Sequence, residues 1–166
     1  MPDIDQVNEV IQDARRALDQ APWDHRDRAT YLDELGVALG DRFSMTRDTD
    51  DLEEAIQVSR EAVSNTPVDS PDRAGRLSNY GIRLAERYSL TEEVGDIRDA
   101  ISVMRQVLEL TPDDDPDRAM YLNNLGTALA DQHVQTSSLA DLDESIETTQ
   151  QAINSAVEDD SDLSMY

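Results

Sequence analysis

Histidine, cysteine and clustered acids are the residues from which an active site or metal centre is usually built, and this chain spaces them poorly for either. It has two histidines, His25 and His133, distant in sequence, and no cysteine. Nucleophilic catalysis needs an activated side chain held against a base, and neither imidazole has a plausible partner. The lack of Cys also removes disulfides and thiolate metal sites. No HExxH-type ligand pattern occurs, and the glycines stand singly instead of forming a phosphate-cradling loop. The acidic run Asp113, Asp114, Asp115 and Asp117 could draw a divalent cation, but no glycine-turned calcium loop surrounds it. It reads as a solvated turn feeding a helix start. Trp23 and Tyr31 could make an aromatic cage, yet Trp23 follows a proline and is expected to fold back onto the first pair of helices as packing. These residues predict no enzyme, no cofactor and no metal.

Charge bears on partners. Thirty-seven acidic residues face 14 basic ones, all arginine, for a net charge of −23. A field of that sign repels phosphate backbones and anionic headgroups, so nucleic acid and membrane are excluded as partners. No apolar run is long enough to cross a bilayer, and Met1 to Gln6 has no basic-then-apolar signal pattern, from which a cytoplasmic location is expected. At 166 residues and 38% apolar content the chain can bury one sizeable core.

The elements that would position any functional side chain come from an internal repeat of 45 residues. Pro22, Pro67 and Pro112 recur in register, as do Asp27-Arg28, Asp72-Arg73 and Asp117-Arg118. Gly36, Gly81 and Gly126 follow, then Leu39, Leu84 and Leu129, then Thr46, Thr91 and Thr136. Asp51, Asp96 and Asp141 share a column, and Ile11, Ile56, Ile101 and Ile146 share another. Apolar spacing is helical in both halves of each block: Ala74, Leu77, Gly81, Leu84 and Tyr88 make one stripe, and Ile97, Ala100, Ile101, Met104 and Val107 a second. Each block is therefore a helical hairpin. Ser70-Pro71-Asp72 and Asp115-Pro116-Asp117 are expected to start the first helices, each with a capping oxygen and a proline in the first helical position. Thr66-Pro67 and Thr111-Pro112 are expected to stop the second. This predicts an unpaired helix at about 5–20 and hairpins at about 26–65, 71–110 and 116–156. A glycine inside a helix costs about 1 kcal/mol relative to alanine, so its recurrence requires close helix approach. The Asp-Arg pair is expected to cap a helix or pair with a neighbouring one.

These columns resemble the tetratricopeptide repeat, whose usual unit has about 34 residues. Leu35-Gly36 and Leu125-Gly126 match its first helix, and Ala55, Ala62 and Pro67, with Ala100, Val107 and Pro112, match its second helix and stop. The longer period is accommodated between Gly36 and Ala55 and between Pro67 and Gly81. Tyr80 departs from the pattern, and Ser145, Thr148 and Thr149 make the last helix more polar. The resemblance implies an all-α fold, a right-handed α-solenoid of hairpins, forming one array over residues 1–166. It also implies a protein–protein interaction module that binds a peptide or protein in its concave groove, as in repeat arrays of large signalling or sensor proteins. A structural spacer or self-assembly segment is the alternative. The family's groove columns fall on Asp33, Val37 and Asp41, on Ser78, Ile82 and Glu86, and on Asn123, Thr127 and Asp131. Asp41, Glu86 and Asp131 share one column, which favours a basic ligand.

At the ends, the helix around Val7, Ile11, Ala14 and Leu18 aligns with second helices and lacks the first helix that should precede it. Residues 161–166 align with the start of a first helix. The chain thus reads as part of a longer array, with weak self-association expected through the uncovered end faces.

Overall fold

The computed structural model describes residues 3–25 and 27–163, with side chains through residue 156. Seven helices follow one another among these residues: α1 (Ile4–Gln20), α2 (Arg28–Thr46), α3 (Thr49–Ser64), α4 (Arg73–Thr91), α5 (Val94–Leu110), α6 (Arg118–Thr136) and α7 (Leu139–Leu163). The chain is an all-α helical repeat in which α2–α3, α4–α5 and α6–α7 are the hairpins and α1 packs on α2. Each helix packs mainly on its neighbours in sequence. The exceptions are α2 touching α4 and α4 touching α6; second helices make no such approach to one another among the described residues. The row of first helices is therefore the tighter one, which puts α2, α4 and α6 on the inside of the curve.

Local chemistry explains the boundaries. At α1, Asp3 accepts from the Gln6 amide at 2.9 Å and Gln6 Oε1 accepts from the Asp3 amide at 3.0 Å, a reciprocal cap. Inside each hairpin two residues join the helices, and the first of them, Arg47, Glu92 or Ser137, is left-handed with φ of 61, 55 and 56°. Its amide closes the first helix on the carbonyl of Phe43, Tyr88 or His133. The recurrent threonine holds that turn: Thr46, Thr91 and Thr136 donate back to the carbonyls of Arg42, Arg87 and Gln132 and accept from the amides of Asp48, Glu93 and Ser138.

Between hairpins the outcome differs from expectation. Pro71 and Pro116 lie in turns before the helices and not in the first helical position, because α4 and α6 begin at Arg73 and Arg118. Asp72 and Asp117 make no side-chain cap. Instead Ser70 Oγ and Asp115 Oδ1 accept from the amides of Asp72 and Asp117 and fold the turn. The arginine of the pair does the capping, on the other helix. Arg73 donates to the carbonyls of Val63 and Thr66, and Arg118 to those of Leu108 and Thr111, so each ties a first helix to the open end of the preceding second helix.

The core follows the columns. Leu39, Leu84 and Leu129 are buried, as are Ala55, Ala62, Ile97, Ala100 and Val107, each full burial of a Leu or Ile contributing about 2 kcal/mol. The recurrent glycines sit at hairpin contacts: a methyl on Gly36 would stand 2.6 Å from Ser59 Oγ, one on Gly81 3.3 Å from Met104, and one on Gly126 2.5 Å from Thr149 Oγ1. Ala156-Val157 replace the Thr-Pro stop, and α7 runs on to Leu163. Of the expected repeat start at 161–166, residues 164–166 lie outside the described residues.

Candidate protein-binding face

The nine groove positions fall on α2, α4 and α6, the inner row, at intervals of four along each helix, so their Cα atoms follow one helix face. They do not form one continuous surface. Ser78 is buried, 5% exposed, between α4 and its neighbours, and is closed to a ligand. Asp33 is held by Asn79 Nδ2 at 3.0 Å across the α2–α4 contact. Thr127 Oγ1 donates to the Asn123 carbonyl at 3.0 Å on its own helix, both residues remaining exposed.

Two hollows result. One, of about 300 Å³, is lined by Gln6, Val7 and Val10 of α1 and by Asp33, Glu34, Val37, Ala38 and Asp41 of α2. It brings Asp33, Val37 and Asp41 together beside an apolar floor. The other, of about 250 Å³, lies between α4 and α6 and gathers Ile82, Glu86, Thr127 and Asp131 with Asn124 and Met104.

Between them stands Arg83, which the columns give no reason to expect, since Ala38 and Ala128 hold its place elsewhere. Its guanidinium crosses directly over Gly40, where any side chain would collide with it, and Nη1 donates to Glu86 Oε2 at 2.7 Å. The acidic column is consequently uneven. Burial pushes the Glu86 carboxyl up, opposed by Arg83 and Arg47 and reinforced by Asp41, and it stays above its ordinary value. Burial alone pushes Asp131 up. Asp131 has neither an ion pair nor a side-chain hydrogen bond among the described residues, whereas Asp33 is held by Asn79 and Glu86 by Arg83, so of the partly buried acids here it is the one whose carboxylate is unanswered. Asn124 adds a buried amide nitrogen with no hydrogen-bond partner at the same hollow. Neither Arg83 nor Asn124 was among the groove positions read from the sequence. Gly40, a glycine one turn beyond the recurrent Gly36, was the available sign of a close approach.

The other expected features resolve structurally. Trp23 does not pack on the first hairpin; it lies in the α1–α2 turn with 82% of its surface exposed. Tyr31 stacks instead on His25, ring centroids 6.3 Å apart. His133 Nδ1 contacts the Ser138 carbonyl at 2.7 Å, in the turn of the third hairpin. The Asp51, Asp96 and Asp141 column is internal: Arg42 grips Asp51, Arg87 grips Asp96, and Gln132 Nε2 donates to Asp141. Among the described residues no helix is long and apolar enough to cross a membrane.

A family model described as tetratricopeptide repeat matches residues 28–72 and 118–161, together more than half of the chain. The matched segments flank the second hairpin, which carries Tyr80 and Arg83. No curated protein matches the chain.

Proposed function

The chain belongs to the tetratricopeptide repeat family, whose repeats mediate protein–protein interaction, and we propose that its inner row binds a peptide segment carrying a basic side chain beside an aliphatic one. The observation that supports this most is the hollow between α4 and α6. It offers the unanswered carboxylate of Asp131 and the apolar side chain of Ile82 within about 250 Å³. A guanidinium or ammonium would answer Asp131, and an aliphatic side chain would cover Ile82. The second hollow, with Asp33 and Asp41 over Val7 and Val37, repeats the pairing of acid with apolar surface at the other end of the row. Arg83 separates the two and answers Glu86, so the ligand's cation is placed at Asp131. The setting that accords with this reading is a larger signalling protein in the cytoplasm.

Selection of short displayed peptides on the purified chain tests it. Enrichment of Arg or Lys next to Leu, Ile or Val, lost when Asp131→Asn replaces the wild type, is the expected result. Selection of acidic or featureless peptides, or binding indifferent to Asp131, would overturn it.

A further inference from the structure

Arg83 occupies the inner row from within. Its side chain is only 12% exposed, its guanidinium lies over Gly40 of α2, and its Nη1 donates to Glu86 Oε2 at 2.7 Å. A cation thus sits between two first helices, across the bare backbone of one and bonded to an acid of the other.

One repeat later the same columns hold different residues. Ala128 stands where Arg83 does, Ala85 where Gly40 does, and Asp131 where Glu86 does. These three residues, with Ile82 and Met104, line the hollow of about 250 Å³ between α4 and α6. The place that the chain fills for itself between α2 and α4 is therefore open between α4 and α6, with the acid kept and the guanidinium gone. Helices of this chain form both walls of the hollow, so it is interior to the array and not an end face.

The lining favours a guanidinium over an ammonium. A guanidinium is planar and weakly hydrated, so it can lie against apolar surface while its edge N–H groups hold a carboxylate in a fork. The hollow offers both partners: the apolar side chains of Ile82, Ala85 and Met104, and the unanswered carboxylate of Asp131. An ammonium is a compact, strongly hydrated charge and would shed water against those apolar side chains at a cost. Ala85 also carries a methyl where Gly40 has none, and a methyl at Gly40 would collide with Arg83. A guanidinium between α4 and α6 must accordingly lie farther out than Arg83 does, within reach of a ligand entering from the inner face.

We propose that the α4–α6 hollow is an arginine subsite, in which a ligand's guanidinium takes in trans the place that Arg83 takes in cis, bonded to Asp131 and lying on Ala85 and Ile82. This rests on the reading that the inner row binds a basic segment, and it names the cation of that segment as arginine and not lysine. By filling the equivalent place at Glu86, Arg83 closes a second such subsite.

The probes are acetyl-Leu-Arg-amide and acetyl-Leu-Lys-amide, titrated into the isotope-labelled intact chain and followed by its backbone amide resonances. The arginine probe is expected to produce saturable shifts at Ala85, Ala128 and Asp131 and to bind roughly tenfold more tightly than the lysine probe. Arg83→Ala should add a second set of saturable shifts at Gly40, Asp41 and Glu86. The double variant Ala85→Gly/Ala128→Arg transplants the arrangement of Gly40 and Arg83 and should abolish binding at Asp131, with circular dichroism reporting the fold. Equal affinity of the two probes would overturn the arginine assignment and leave the inner-row reading standing. No saturable shift between α4 and α6 from either probe would overturn both. Arginine binding that persists in the folded double variant would overturn the equivalence with Arg83, and if that variant does not fold, the comparison of the two probes on the wild type decides.

Discussion

Arg87 clasps Asp96 across the α4–α5 hairpin, its Nε at 2.8 Å and Nη2 at 2.6 Å from the two carboxylate oxygens, while Nη1 reaches across to Glu53 on α3. One guanidinium thereby fixes both the hairpin and its junction with the preceding one, and burial of Asp96, with 8% of its side chain exposed, limits competition from water. Asp96→Asn should lower the unfolding free energy by about 2 kcal/mol in urea titration, the usual effect of losing a charged hydrogen bond at a partly buried site. The matching change Asp141→Asn should cost less, because uncharged donors, Gln132 Nε2 and Thr136 Oγ1, each at 3.0 Å, stand there in place of a guanidinium.

The hairpin turns hold non-glycine residues in left-handed geometry. Glu92 has φ 55° and, among the described residues, no side-chain bond that requires glutamate. Glu92→Gly should stabilise the chain by about 1 kcal/mol, since an L-residue in this region carries a steric cost that glycine avoids. An unchanged or lowered denaturation midpoint would show that the turn is not strained.

A double-mutant cycle tests the glycine contacts. Gly36→Ala should destabilise by about 1 kcal/mol, because the gain in helix propensity is outweighed by the 2.6 Å clash with Ser59 Oγ. Ser59 is buried and its hydroxyl is unpaired, so Ser59→Ala should cost little by itself and should largely rescue Gly36→Ala. At Gly81 the obstacle is the flexible Met104, and Gly81→Ala should lie within about 1 kcal/mol of wild type.

Stability should also depend on pH through the inner row. Glu86 and Asp131 have carboxyls pushed up by burial, so the folded chain binds their protons more readily than the unfolded chain. Their contribution is full below the ordinary carboxylate values and is lost as pH rises through the raised ones. Asp141, held below its ordinary value by bonds from Gln132, Thr136 and Ser138, acts in the opposite sense at lower pH. Denaturant titrations across this window should show wild-type stability falling as pH rises, and Asp131→Asn should flatten that fall and be the more stable protein at neutral pH. Equal slopes for the two proteins would place the desolvated charge elsewhere.

The all-α repeat was legible in the period and the helical stripes because each turn repeats its chemistry: Thr46 and Thr91 tie hairpins, and Thr66-Pro67 and Thr111-Pro112 end them. What the columns could not show was which partner a charged side chain chooses. The Asp-Arg pair left open a cap or a pairing with a neighbouring helix, and Arg73 takes the second by reaching backwards to the carbonyls of the preceding helix. Trp23 lay outside any repeated contact, and 82% of its surface is exposed. Within the inner row, equal columns suggested three equivalent acids. Arg83, present in one hairpin only, breaks that equivalence by answering Glu86, and periodicity is blind to a residue that does not recur.

The claim that the inner row binds a basic segment is tested most directly by titrating an Arg- and Leu-containing peptide from the display selection into the wild type and into Asp41→Asn/Asp131→Asn, at low and at moderate salt. The account predicts affinity about tenfold weaker in the double variant at low salt, a smaller gap at moderate salt, and no measurable binding of the peptide with Arg replaced by Glu. Equal affinity of both proteins for the peptide, with no dependence on salt, would contradict it.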